Sequence, residues 1–209
     1  MPKVDYALMY VTDDSIKDDN SFFHILEASL KGGATIIQLR EKTCDTQTFY
    51  QRAVRCKEIC EKYNTPLLIN DRLDIALAID ADGVHIGQTD MPYEVARRLL
   101  SNSKIIGLSV SNKEQAEQPN AQAADYIGIS PIFSTNTKTT DLAKPLGIAG
   151  LKEIRQFYAR LVPTSKRKNG SYSGSHQRTT LHYRVDERYA PIRCFSVLYQ
   201  SRCDVSGGI

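Results

Sequence analysis

The sequence predicts an α/β fold, namely a (β/α)8 TIM barrel in which the last two βα units are missing or degenerate. Six short apolar segments alternate with segments of helical periodicity between residues 6 and 161. Short strands that are apolar throughout are typical of a parallel sheet covered by helices. No glycine-rich fingerprint follows the first segment, whereas polar residues follow every strand, so a barrel is favoured over an open nucleotide-binding sheet.

The first three strands are predicted at residues 6–11, 35–39 and 66–69, where short apolar runs end in polar residues. A helix is predicted over residues 21–31 because apolar side chains recur near a period of 3.6, and Gly32-Gly33 follows as a C-terminal cap. The same periodicity predicts a second helix over residues 46–63.

The second half of the chain continues the alternation. Strands are predicted at residues 83–86, 104–108 and 126–129. Helices are predicted over residues 73–79, 93–100, 112–124 and 150–161, of which the third is polar but compatible with a helix. Residues 1–161 would therefore form six βα units that carry the active-site motifs.

The C-terminal tail (residues 162–209) differs from the rest of the chain. It carries eight Lys and Arg against three Asp and Glu, a net charge of +5, while the remainder of the chain comes to −2. It is polar, lacks periodicity and predicts no further βα unit. We consider two hypotheses for this tail: a disordered extension, or a reading-frame shift near residue 161 that replaced the last two units.

Composition indicates an ordinary globular protein, with 41% apolar and 24% charged residues. No apolar run reaches the roughly 18–20 residues of a membrane span, and the start of the chain lacks the apolar region of a signal peptide, so we expect a cytoplasmic protein with no membrane partner. The five cysteines have no metal-type spacing and are predicted to be free thiols: Cys44, Cys56, Cys60, Cys194 and Cys203.

Polar residues at the predicted strand ends define the candidate site, because the carboxyl ends of barrel strands share one face. They are Gln38, Arg40, Lys42, Asn70, Asp71, Asp90, Ser109, Thr135, Thr137 and Lys138. Two aspartates beside basic residues suggest Mg²⁺, which prefers one or two carboxylates together with substrate phosphates. The cations would carry the rest of a diphosphate's charge. His85, the one histidine in a core strand, fits either a satisfied buried residue or a catalytic one.

Five segments resemble the motif series of the thiamine phosphate synthase family. They are QLREK at 38–42, INDR at 69–72, DGVHIGQTD at 82–90, GLSV at 107–110 and PIFSTNTK at 131–138. Their order and spacing match those of the family from residue 6 to residue 161.

The resemblance implies a transferase of thiamine biosynthesis that condenses 4-amino-2-methyl-5-(diphosphooxymethyl)pyrimidine with thiazole phosphate, is Mg²⁺-dependent and releases pyrophosphate. It implies that Asp71 and Asp90 bind Mg²⁺, and that the two small molecules are the partners, with the oligomeric state left open. The implied pyrimidine diphosphate site is Gln38, Leu39, Arg40, Glu41, Lys42, Asn70, Ser109 and Lys138. The implied thiazole phosphate site is Thr135, Asn136 and Thr137.

Two alternative functions remain open at this point. One is a thiazole tautomerase-like barrel that performs proton transfer, which the set of diphosphate-binding cations and the two aspartates disfavour. The other is a non-catalytic protein whose basic tail binds nucleic acid. Because the tyrosines of the tail are scattered and form no recognisable module, we expect no nucleic-acid partner.

Overall fold

The computed structural model describes residues 4–133, 144–161 and 193–196. Its core is one parallel sheet in which every strand lies beside its neighbours in the sequence. The strands are β1 (Met9–Val11), β2 (Ile36–Leu39), β3 (Leu67–Asn70), β4 (Gly83–Ile86), β5 (Ile105–Val110), β6 (Tyr126–Ile129) and β7 (Arg193–Ser196). This sequential order differs from that of a doubly wound sheet, whose strand order reverses.

Helices connect the strands and cover one face of the sheet. They are α1 (Asp19–Lys31), α2 (Thr46–Lys62), α3 (Leu73–Ala78), α4 (Tyr93–Leu99), α5 (Lys113–Ala116), α6 (Pro119–Ala123) and α7 (Gly147–Leu161). The two long helices α1 and α2 begin at aspartate caps, since Asp18 and Asp45 accept hydrogen bonds from the backbone N–H groups of Ser21 and Thr48. None of the helices in the described ranges has the length and hydropathy of a membrane span.

The sheet curls, because side chains from strands that are far apart in the sheet order touch each other. Gln38 on β2 lies four strands from Tyr126 on β6, yet Gln38 Nε2 is 3.5 Å from the Tyr126 hydroxyl oxygen. In a flat sheet, two strands separated by four strand positions, as β2 and β6 are, would be roughly 19 Å apart. Tyr6, which precedes β1, also packs against Tyr126, with ring centroids 5.5 Å apart. The strands therefore form a curled half-barrel wall with a concave inner face.

Successive strand residues face opposite sides of this wall, and each side has its own core. The outer face packs against the helices through Ile37, Leu39, Leu67, Ile69, Val84, Ile86, Ile106, Leu108, Val110, Ile127 and Ile129. The inner face holds a smaller apolar cluster formed by Tyr6, Ile36, Leu68, Ile105 and Tyr126. Polar inner residues follow this cluster toward the carboxyl ends of the strands: Gln38, Asn70, His85 and Ser109. The inner face thus supports a polar site above an apolar floor.

The prediction of one helix over residues 112–124 was wrong, because this segment forms the two short helices α5 and α6. Pro119 is the first residue of α6. Proline has no N–H group to donate within a helix and is favoured at the first helical position, so it starts a new helix rather than continuing one.

The tail also departs from expectation. We predicted no further βα unit after residue 161, but one strand, β7, pairs in parallel with β6, with Ile127 opposite Cys194 and Gly128 opposite Phe195. The free edge of β6 offers backbone N–H and C=O groups to any extended segment, and such an edge recruits a strand even from a polar region. Among the described residues the sheet has seven strands, and the remaining predictions for residues 162–209 lie outside them.

Of the predicted free thiols, Cys44, Cys56 and Cys60 are confirmed as unpaired. Cys56 and Cys60 are buried between α2 and the sheet, where burial raises the pKa of Cys60 to about 12 and that of Cys56 well above its ordinary value. The side chains of Cys194 and Cys203 lie outside the described part of the chain.

Candidate active site

The loop after β2 places a cation beside the end of β1. The Arg40 guanidinium lies 3.0 Å from the Asp14 carboxylate, with both side chains mostly buried. The Arg40 backbone is fixed as well, because its N–H donates to Thr12 Oγ1 at 2.9 Å and its carbonyl accepts from the same hydroxyl at 3.2 Å. Arg40 is therefore held in place by the loop that follows β1.

Asp71, directly after β3, forms an ion pair with Lys42 from the loop after β2. Its backbone adopts the left-handed conformation with φ +63°, which aspartate and asparagine tolerate better than most residues. Its N–H donates to the His85 carbonyl at 2.8 Å, so the turn is anchored to the neighbouring strand β4. The structure thus brings together an acidic and a basic residue that sequence alone placed only at separate strand ends.

Asp90 is the second predicted metal ligand. Its carboxylate accepts a hydrogen bond from the Gly87 N–H at 2.7 Å. Burial raises its pKa, and the hydrogen bond and charge of the Asp71 carboxyl raise it further. Two carboxyl groups this close repel each other when both are ionised, and a divalent cation would relieve that repulsion. The donor set therefore fits Mg²⁺.

No cluster of three or more His, Cys, Asp or Glu side chains that could hold a metal is found within the described ranges. Mg²⁺ does not need one, because it retains water ligands and takes further oxygens from substrate phosphates. A site made of Asp71 and Asp90 alone would depend on a phosphorylated ligand to complete its coordination.

His85 connects three strands on the inner face. Its Nδ1 lies 2.7 Å from the Tyr126 hydroxyl oxygen and its Nε2 lies 2.8 Å from Ser109 Oγ. Burial lowers the pKa of this imidazole to about 4, although the nearby charge of Asp90 opposes the shift. His85 is therefore neutral near pH 7 and hydrogen-bonded at both ring nitrogens. Asn70, the neighbour of His85 in the β3–β4 register, is buried on the same face.

Two of the residues implied by the resemblance have side chains that point away from this site. Leu39 is completely buried in the core between the sheet and the helices. Glu41 is buried as well and forms an ion pair with Arg52 of α2, with Arg52 Nη1 2.6 Å from Glu41 Oε1. Through their side chains these residues support the loop after β2, so any contact with a ligand would involve their backbone.

The remaining predicted positions, Thr135, Asn136, Thr137 and Lys138, lie outside the described residues. The thiazole phosphate site and one cation of the diphosphate site therefore stay predictions.

Sequence reasoning missed two residues that shape the site, Tyr126 and Gln88. Tyr126 was predicted only as the first residue of an apolar strand, but its hydroxyl joins the polar residues of the inner face. Gln88 was also overlooked, although its side-chain amide donates to the Ser109 carbonyl at 2.6 Å. One sequence signal could have shown which face of the sheet Tyr126 occupies. It lies two residues before Gly128, and residues two apart in a strand face the same side, here of β6.

A curled parallel sheet with carboxylates and cations gathered at the carboxyl ends of its strands defines a barrel-like α/β enzyme. The family model described as thiamine monophosphate synthase matches residues 8–164. This chain belongs to that family.

Curated relatives and a solved structure agree with this assignment. The chain is 48% identical to thiamine-phosphate synthase from Clostridium novyi (strain NT) over 153 residues, covering 73% of this chain and 74% of the relative. It is 49% identical to the enzyme of that name from Methanobrevibacter smithii over 154 residues, covering 74% and 72%. Thiamine phosphate pyrophosphorylase from Pyrococcus furiosus aligns with a TM-score of 0.62 and 35% identity, covering 72% of this chain and 70% of that chain.

Proposed function

We propose that this chain condenses 4-amino-2-methyl-5-(diphosphooxymethyl)pyrimidine with thiazole phosphate to give thiamine phosphate and pyrophosphate. The observation that carries the proposal is the meeting of Asp71 with Lys42 and Asp90, where β2, β3 and β4 end. Arg40 follows the same strand end as Lys42. Such a cluster suits a diphosphate with its divalent cation. We also infer that the curled sheet is the wall of a (β/α)8 barrel, in line with its sequential strand order.

In the proposed reaction, the bond between the pyrimidine methylene carbon and the diphosphate oxygen breaks, and the thiazole nitrogen then forms a bond to that carbon. Negative charge develops on the departing diphosphate. Arg40 and Lys42, with Lys138 as the third proposed cation, would stabilise this charge electrostatically. Asp71 and Asp90 would hold Mg²⁺, whose contribution is further neutralisation of the leaving group.

This chemistry requires no general base, and the inner face is consistent with that. His85 is held neutral and bonded at both ring nitrogens, which suits an orienting role better than proton transfer. Gln38, Asn70 and Ser109 would contact the pyrimidine diphosphate as neutral hydrogen-bonding groups. Thr135, Asn136 and Thr137 are proposed to bind the thiazole phosphate.

The test is calorimetric binding of the pyrimidine diphosphate in the presence of Mg²⁺, together with an assay for thiamine phosphate. Asp71→Asn removes the charge and keeps a side chain that tolerates positive φ, so we expect at least about tenfold weaker binding, with the fold intact.

Asp80→Asn is the matched control. Asp80 also has positive φ and an ion pair, with Lys104, but its side chain is 85% exposed. Its binding and turnover should equal those of the wild-type chain. Equal affinity for the wild type and Asp71→Asn would show that Asp71 does not hold the metal–diphosphate complex, and an inactive wild-type chain would overturn the proposed reaction.

A further inference from the structure

A line of four hydrogen-bonding side chains crosses the inner face of the sheet. Gln38 Nε2 lies 3.5 Å from the Tyr126 hydroxyl oxygen, which lies 2.7 Å from His85 Nδ1. On the far side of the ring, His85 Nε2 lies 2.8 Å from Ser109 Oγ. The line therefore joins β2, β6, β4 and β5, and it ends at a residue placed in the proposed pyrimidine diphosphate site.

The chemistry of these groups gives the line a direction. The amide nitrogen of Gln38 can only donate, so the Tyr126 oxygen accepts that bond, and the assignment we infer is that the Tyr126 O–H donates to His85 Nδ1. A neutral imidazole that accepts at Nδ1 carries its proton on Nε2 and donates to Ser109 Oγ. The Ser109 proton is then available to a third group.

We infer that Tyr126 is a positioning residue which, acting through His85, directs the Ser109 hydroxyl proton toward an acceptor atom of the bound pyrimidine substrate. This inference rests on the proposed function. In the opposite tautomer, Ser109 would donate to His85 Nε2 and could offer the substrate only its lone pairs. Tyr126 thus decides whether Ser109 meets the substrate as a donor or as an acceptor.

The surroundings hold each member of the line in place. The Tyr126 and His85 rings stack with centroids 5.4 Å apart and planes 28° apart. A Cβ on Gly128 would lie 3.1 Å from His85 Cε1, a tight contact that the imidazole could relieve only by shifting a few tenths of an ångström. Gln88 fixes the Ser109 backbone by donating to its carbonyl. A donor held this way needs no reorganisation when the substrate binds.

The first test compares the kinetics of Tyr126→Phe with those of the wild type. The change keeps the ring and removes one hydroxyl, so we expect kcat/KM for the pyrimidine diphosphate to fall about tenfold. Tyr158→Phe is the matched control, because it removes one buried hydroxyl that donates to the Ala116 carbonyl at 2.8 Å in the helix layer. This control should keep wild-type kinetics, and equal kinetics for both variants would overturn the inference.

A double-mutant cycle separates positioning from a general structural role. If Tyr126 acts through the Ser109 hydroxyl, then Tyr126→Phe should cost at most about twofold in a Ser109→Ala background. A purely structural contribution of Tyr126 would instead give the same loss in both backgrounds, and that result would overturn the inference.

The direction of the line is read by ¹⁵N NMR of His85 near pH 7. The wild-type spectrum should show the neutral tautomer protonated on Nε2, and Tyr126→Phe should shift it toward a mixture of tautomers. A wild-type ring protonated on Nδ1, or on both nitrogens, overturns the inference. If the wild-type chain makes no thiamine phosphate, the proposed function fails, while the NMR spectrum still decides the hydrogen-bond direction.

Discussion

Arg52 of α2 and Glu41 of the loop after β2 form an ion pair in which both side chains are almost completely buried, 6% and 0% exposed. Arg52 also donates to the Lys17 carbonyl at 2.8 Å and to Asp19 Oδ1 at 2.8 Å. One guanidinium therefore ties together the loops after β1 and β2, which present Asp14 and Arg40 to the site.

Arg52→Met should destabilise the protein by about 3–5 kcal/mol, because it leaves the Glu41 carboxylate buried without its partner. Arg55→Met in the same helix is the control, since Arg55 is exposed and packs over Phe23, with its guanidinium carbon 4.1 Å from the ring centroid. We expect it to cost less than about 1 kcal/mol. Denaturant unfolding measures both variants, and similar losses would contradict the importance of the buried pair.

Gly107→Ala should destabilise the fold more than Gly128→Ala. A Cβ on Gly107 would overlap the ring of Tyr126, which is completely buried and cannot move aside, whereas a Cβ on Gly128 would make only a tight contact with His85. Overpacking of this kind costs about 1–3 kcal/mol or more. Thermal unfolding of the two variants tests the order, and the reverse order would refute the packing described for the inner face.

The thiols of Cys56 and Cys60 should resist alkylation while the protein is folded. With a pKa of about 12, Cys60 carries only about one thiolate in ten thousand molecules near pH 8, and burial raises the pKa of Cys56 as well. Cys44 is only partly buried, and its pKa is raised by desolvation and by Glu41. Among these three thiols, mass spectrometry after iodoacetamide treatment should show Cys44 labelled first, with Cys56 and Cys60 labelled only in denaturant. Early labelling of Cys60 would contradict the burial.

Limited proteolysis should cut first between Lys166 and Arg178, because this segment is polar, basic and predicted to form no helix or strand. After cleavage, the fragment that contains β7 should remain bound through its pairing with β6.

We further expect that changing the reading frame after residue 161 restores the last two βα units and raises activity. A protease-resistant tail combined with full activity of the chain as it stands would refute the frame-shift hypothesis.

Much of the fold could be predicted from local patterns. The strands at 83–86 and 126–129 were predicted with the bounds that the structure shows. Their apolar runs end sharply at glycine or at Ser130-Pro131, and such strand ends can be recognised from the local sequence without knowledge of tertiary contacts. The helix at 112–124 was mispredicted, because Pro119 was not recognised as the first residue of a separate helix.

The candidate site was only partly predictable, for a geometric reason. Sequence identified Lys42, Asp71 and Asp90 as strand-end residues, and the parallel sheet brings these ends together. The sequence did not show that the side chains of Glu41 and Lys42 point in different directions. Adjacent positions in a loop can direct one side chain into the core and the next into the site, and the loop conformation decides which.

The sequence by itself determined the alternation of strands and helices and the family motifs, because periodicity and short polar signals are local properties. Only the tertiary structure decided that Tyr126 reaches Gln38 and that a strand from the tail covers β6. Both contacts join residues far apart in the chain, and they exist because the sheet curls and because a free strand edge pairs with whatever extended segment reaches it.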